Sequence, residues 1–80
     1  MTDDEIAQRI SRLVDEEHRL HNENIGRGLS VEEARRLEAV QVQLDQCWDL
    51  LRQRRALREM GENPDEADVR DGRTVEGYLQ

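Results

Sequence analysis

Apolar residues recur at three- and four-residue steps early in the chain, at Ile6, Ile10, Leu13, Val14 and Leu20. Such positions share one face of a helix, so the spacing predicts an amphipathic helix over about residues 3–23. Thr2 followed by Glu5 is a capping-box pattern, and Asp3 and Asp4 suit the positive end of the helix dipole. The pattern fades at NENIGRG, where asparagine and two glycines supply turn chemistry.

A second capping box, Ser30 with Glu33, opens the next segment, and Leu29 before the cap is placed to staple onto Ala34. No glycine or proline interrupts Val31 to Met60, and strong helix formers dominate. Leu37, Val40, Leu44, Cys47, Trp48 and Leu51 form the apolar stripe. Gly61 is a natural C-terminal cap and Asn63-Pro64 forbids continuation. The second helix therefore spans about residues 31–60, roughly 45 Å at the standard rise. The acidic tail over 61–80 carries no sustained period. Asp65 to Val69 suits a short turn of helix, and Tyr78 and Leu79 form a bulky tip.

A short connection makes the two helices antiparallel neighbours, so the fold class is all-α: a helical hairpin with a long second helix and an extended tail. Folding the hairpin puts Leu20 near Ala34, Leu13 near Val40 and Ile6 near Trp48. Leu44, Cys47, Trp48 and Leu51 then complete its core, and residues from about Leu51 to Met60 outrun the first helix. On that overhang Arg54 interrupts a face made by Leu50, Leu51, Leu57 and Arg58. Glu17 likewise interrupts the face of the first helix. The two cannot meet within one hairpin. They can meet between copies paired antiparallel about a dyad near Gln46, which predicts a homodimeric, coiled-coil-like four-helix bundle. Its seam would run through Glu17, Leu44, Cys47, Trp48 and Arg54, with a Glu17–Arg54 pair setting register.

Composition strengthens the expectation of association. In 80 residues only 35% are hydrophobic, with no Phe, one Trp and one Tyr, so bulky core material is scarce for a single small domain. Charged residues reach 39% with a formal net charge of −7, and all 12 basic residues are arginine. The acidic balance argues against nucleic-acid binding, which draws on cations against phosphates. A single cysteine excludes an intramolecular disulfide and fits a reducing cytoplasm. No apolar run approaches a membrane span, and MTDDEIAQR has the wrong charge for a signal peptide.

Three clusters invite chemistry. Glu17 and His21 share a helix face and Glu33 comes level with them, a conceivable mononuclear metal site. The spacing is one residue too long for the Glu-x-x-His of carboxylate-bridged dimetal bundles. Cys47 is flanked by Asp45 and Asp49, which oppose thiolate formation, so a buried structural cysteine is the expectation. RQRRALR, residues 52–58, resembles a nucleic-acid patch only when viewed alone. Asp49–Arg52, Arg55–Glu59 and Arg58–Glu62 fall at intrahelical pairing distances, and an acidic segment such as the chain's own tail is a suitable target.

TDDEIAQRISRLVDEEHRL, LDQCWDLLRQRRALREMGENPDEA and the final VEGYLQ together resemble a family of small actinobacterial proteins catalogued as domain of unknown function 2630. The likeness covers essentially the whole chain, and CWDLLRQRR is its most distinctive block. The resemblance implies a short stand-alone cytoplasmic protein and carries over no activity or site residues. The sequence thus predicts a non-enzymatic, cofactor-free interaction module. Self-association and binding of a protein partner would use Leu50, Leu51, Arg54, Leu57 and Arg58 of the second helix with Tyr78 and Leu79 of the tail, which can instead fold back as a cap. The alternative is a metal-binding bundle using Glu17, His21 and Glu33.

Overall fold

The computed structural model describes residues 1–70 apart from 23–25 and 27. Two helices dominate, α1 (Asp3–Asn22) and α2 (Val31–Glu59), followed by a single 3₁₀ turn (Pro64–Glu66). Both N-termini carry the capping boxes read from the sequence. The Glu5 N–H donates to Thr2 Oγ1 at 3.2 Å while Thr2 N–H donates to Glu5 Oε1 at 3.1 Å. Ser30 and Glu33 repeat the exchange at 3.1 Å in both directions. Each box satisfies backbone donors that the first helical turn leaves without an intrahelical partner.

The end of α2 is equally local in origin. Gly61 takes a φ of 75°, which a β-carbon would strain. This turn lets Glu62 N–H reach the Leu57 carbonyl at 2.8 Å and Gly61 N–H reach that of Arg58 at 3.1 Å. The pair is a Schellman closure, and it redirects the chain toward Pro64. Asn63 then caps the 3₁₀ turn, its side-chain oxygen accepting from Asp65 N–H at 3.0 Å.

Long-range pairs fix the antiparallel arrangement. Glu16 of α1 grips Arg36 of α2, with Arg36 Nη2 2.7 Å from Oε1 and Nε on Oε2. At the other end Asp3 meets Arg54 and Arg58. Numbers rise along α1 as their partners fall along α2, as the hairpin requires. Between these clamps Ile6, Ile10 and Leu13 pack with Val40, Leu44, Cys47 and Leu50, and Ile6 and Val40 are fully buried. Val14, Leu51 and Ala67 border the cluster.

Two expectations about the core need correction. Trp48 does not complete it: half of its surface is exposed. It lies about 100° around the helix from Cys47, at the rim of the face that meets α1. Leu50, expected on an uncovered face, is instead a core residue with 5% exposure. The overhang expected from about Leu51 to Met60 is corrected as well: Asp3 at the start of α1 pairs with Arg54 and Arg58, so α1 runs level with nearly all of that stretch, and the chain after Pro64 turns back along α2 as a further neighbour.

The core makes a direct stability prediction. Ile6→Ala should lower the unfolding free energy by about 2–5 kcal/mol, the range for truncating a fully buried isoleucine. Denaturant titration followed by circular dichroism checks this, and a cost below about 1 kcal/mol would contradict the packing described.

Candidate functional site: the C-terminal half of α2 and the returning segment

The densest polar arrangement centres on Arg54, which is only 8% exposed although it carries a full charge. Its Nε donates to Asp3 Oδ1 at 2.6 Å and its Nη1 to Asp65 Oδ1 at 2.9 Å. Arg58, one turn along, donates to Asp3 Oδ2 from both Nη1 (2.7 Å) and Nη2 (2.6 Å). A planar guanidinium held in two directions fixes both neighbours at once. Arg54 therefore ties the start of α1 and the 3₁₀ turn to α2.

This replaces the expected pairing of Arg54 with Glu17 of a second copy. The guanidinium finds both carboxylates in its own chain, and Glu17 lies half-buried on α1. The returning segment is fastened further along by α2's glutamines. Gln53 Nε2 donates to the Asp68 carbonyl at 2.7 Å and to Asp49 Oδ2 at 2.9 Å. Gln46 Nε2 donates to the Arg70 carbonyl at 3.1 Å. Asp49, only 4% exposed, also meets Arg70 Nε at 3.3 Å. An extended chain has spare backbone carbonyls, and two glutamines spaced two turns apart on one side of α2 collect them.

The arginine cluster is thus largely committed. Arg54 and Arg58 serve Asp3, and Arg55 pairs with Glu59 at 3.2 Å as the spacing predicts. Arg58 takes Asp3 where Glu62 was expected, and Asp49 takes Gln53 and Arg70 where Arg52 was expected. Leu51 and Leu57 are half-buried, and 46% of the Arg58 side chain remains exposed. Tyr78 and Leu79 lie outside the described residues. The long-range roles of Asp3, Asp49, Asp65 and the two glutamines were not legible in the sequence, where Asp3 suits the helix dipole, Asp49 pairs with Arg52 and Gln46 sits near the expected dyad.

Electrostatics follow from these contacts. Hydrogen bonding to Arg54, reinforced by Arg58, holds the Asp3 carboxyl below its usual range against a partial opposing desolvation. Hydrogen bonding to Arg36 does the same for Glu16. Burial pushes the Cys47 thiol up, with only a weak counter-effect from Arg9. Cys47 borders a cavity of about 60 Å³ shared with Met1, Arg9, Gln46, Leu50 and Val69. Desolvation makes this thiol a poor nucleophile.

Of the metal candidates, His21 is exposed near the end of α1, and Glu33 accepts from Ser30 N–H in the capping box. Among the described residues no three His, Cys, Asp or Glu side chains come together in a way that could hold a metal ion. No helix among them is long and apolar enough to cross a membrane.

The family model for "Protein of unknown function (DUF2630)" matches residues 2–80. This chain belongs to the DUF2630 family. It is also similar to "Uncharacterized protein Rv0898c" of Mycobacterium tuberculosis strain H37Rv, with 50% identity over 78 residues. The match takes in 96% of this chain and 90% of that protein. "Uncharacterized protein Mb0922c" of Mycobacterium bovis matches with the same identity and coverage. No solved structure matches the chain significantly. The resemblance to the actinobacterial family drawn from the three quoted stretches is therefore shown.

Two outcomes test the site. Asp3 and Glu16 have folded-state pKa values below their unfolded ones. Their contributions are present above the ordinary carboxylate range and vanish as pH falls through the lowered values, so stability should decline below about pH 4. Asp3→Asn together with Glu16→Gln should flatten that acid limb in melts recorded from pH 7 to 2; an unchanged limb would count against both pairs. Separately, iodoacetamide should leave Cys47 unmodified in native buffer near neutral pH and label it fully in denaturant, read by intact mass.

Proposed function

We propose that this chain is a non-enzymatic interaction module that self-associates and presents the C-terminal half of α2, with the segment folded along it, to a protein partner. The observation that carries this reading is the fastening of residues 63–70 to α2 through Arg54, Asp49, Gln46 and Gln53. Two segments that would otherwise be a bare helix end and a tail become one composite surface. Met60 and Val69, 66% and 61% exposed, stand on it among charged groups. Isolated apolar side chains within a polar surround suit a transient protein contact.

Self-association has separate support. The only tryptophan in the chain is 50% exposed in a domain otherwise short of large apolar side chains. Tryptophan is enriched where proteins meet, because it buries much area with little loss of conformational freedom. A cytoplasmic setting is part of the proposal, consistent with the single cysteine.

Photo-reactive residues placed at Met60, at Val69 and at exposed His18 on α1 test the partner surface in cells. Cross-links to one and the same second protein from Met60 and Val69, but not from His18, are expected. Equal yields from all three positions, or none, would overturn the reading. Sedimentation equilibrium tests the self-association, with a mass above that of a single 9.4 kDa chain expected at micromolar concentration.

A further inference from the structure

The returning segment and Trp48 occupy nearly opposite sides of α2. Gln46 and Gln53, which hold the segment, lie about 160° and 140° around the helix from Trp48 at the standard 100° per residue. Among the described residues, chain folding therefore closes one flank of the hairpin and leaves the other, with half-exposed Trp48, open. On α1 the same division holds. Glu16 faces the flank of Arg36, while half-buried Val14, two residues away, projects to the other side. Leu37, Leu44 and Leu51 follow at seven-residue steps beneath the open flank, and Trp48 stands at its middle.

Charge along this flank is unequal at its two ends. N-terminal to Trp48 stand Glu38 and half-buried Asp45; C-terminal to it stand exposed Arg52 and the Arg55–Glu59 pair, whose charges offset each other. A surface acidic at one end and basic at the other is complementary to itself when turned through a two-fold axis, the defining property of an isologous contact. We propose that a second copy of this chain covers the flank, the two α2 helices crossing antiparallel about a dyad near Trp48. This rests on the self-association proposed above and assigns it a face, an orientation and a register.

With Trp48 on the axis, residue positions equally displaced on either side of it face each other. Arg52 of one copy then lies level with Leu44 of the other, beside Asp45, while Arg55 keeps Glu59 within its own chain. The symmetry repeats each contact, and the two indoles pack together over Leu44 and Leu51. Asp3, Arg54 and Asp65 keep their contacts within each chain, so the seam needs no partner for Arg54. Two hairpins joined in this way make a four-helix arrangement with the returning segments on its outer faces.

The full-length chain tests the proposal by charge exchange. Asp45→Arg and Arg52→Asp each replace two unlike contacts by like ones, and each alone should weaken the dimer by at least about tenfold in sedimentation equilibrium. An equimolar mixture restores both unlike contacts and should return the dimer to within a few-fold of the original affinity. Both positions lie off the core-facing stripe, and unchanged helical circular dichroism will report intact folding. The unsubstituted chain supplies a measurement independent of any variant: emission of Trp48 should shift to shorter wavelength as concentration rises through the dissociation constant. An unsubstituted chain that dimerises without that shift, or a mixture that fails to recover, would overturn this register and leave self-association standing. A chain that stays monomeric at all concentrations would overturn both.

Discussion

A single buried guanidinium organises this protein. Arg54 must be compensated where it sits, because an unpaired charge withdrawn from water is costly, and its compensation comes from two distant places at once. Asp3 arrives at the start of α1, and Asp65 arrives in the 3₁₀ turn after α2. Meeting both demands sets where α1 begins against α2 and forces the chain beyond Gly61 to reverse. The carboxylates themselves remain partly in water, which lowers the cost of assembling the triplet while leaving its geometry specific. Planarity of the guanidinium adds direction, since Nε and Nη1 point to different partners.

From that reversal follows the division of α2 into unlike sides. Toward α1 it is apolar, with Val40, Leu44 and Cys47 in the core. Toward the returning segment it is amphipathic, with Leu50 buried and glutamine side chains meeting backbone carbonyls. Among the described residues, the third side leaves Trp48 half exposed. A small domain with scarce bulky residues cannot surround a helix of 29 residues by itself. It covers two sides with its own segments, and the remaining side is where association has most to gain. On the proposed reading, a copy bound at Trp48 would leave the composite surface around Met60 and Val69 accessible.

The same geometry shapes the surroundings of the cysteine and the arginine cluster. Cys47 points inward, and burial disfavours its thiolate. Arg54, Arg55 and Arg58 are engaged by Asp3, Asp65 and Glu59, so three of the cations in RQRRALR already face carboxylates. Cations so engaged have less to offer a phosphate backbone.

What the sequence determined by itself is everything decided within about one helical turn. Both capping boxes, the closure at Gly61, the Arg55–Glu59 pair and the phase of the core stripe depend on residues three to five apart, where chain connectivity alone brings partners together. Trp48 departs from the expected core for a related reason: a rim position on a helical wheel belongs to the core only if a neighbouring element reaches that far round. The partners of Arg54 were beyond such reasoning. Asp3 is 51 residues away and Asp65 is 11, and many other carboxylates in this acidic chain offer the same charge. Coulomb attraction does not choose among them by sequence distance. The choice was made by tertiary structure, because only the packed hairpin and the turn at Gly61 bring those two oxygens within hydrogen-bonding reach while excluding water from the guanidinium between them.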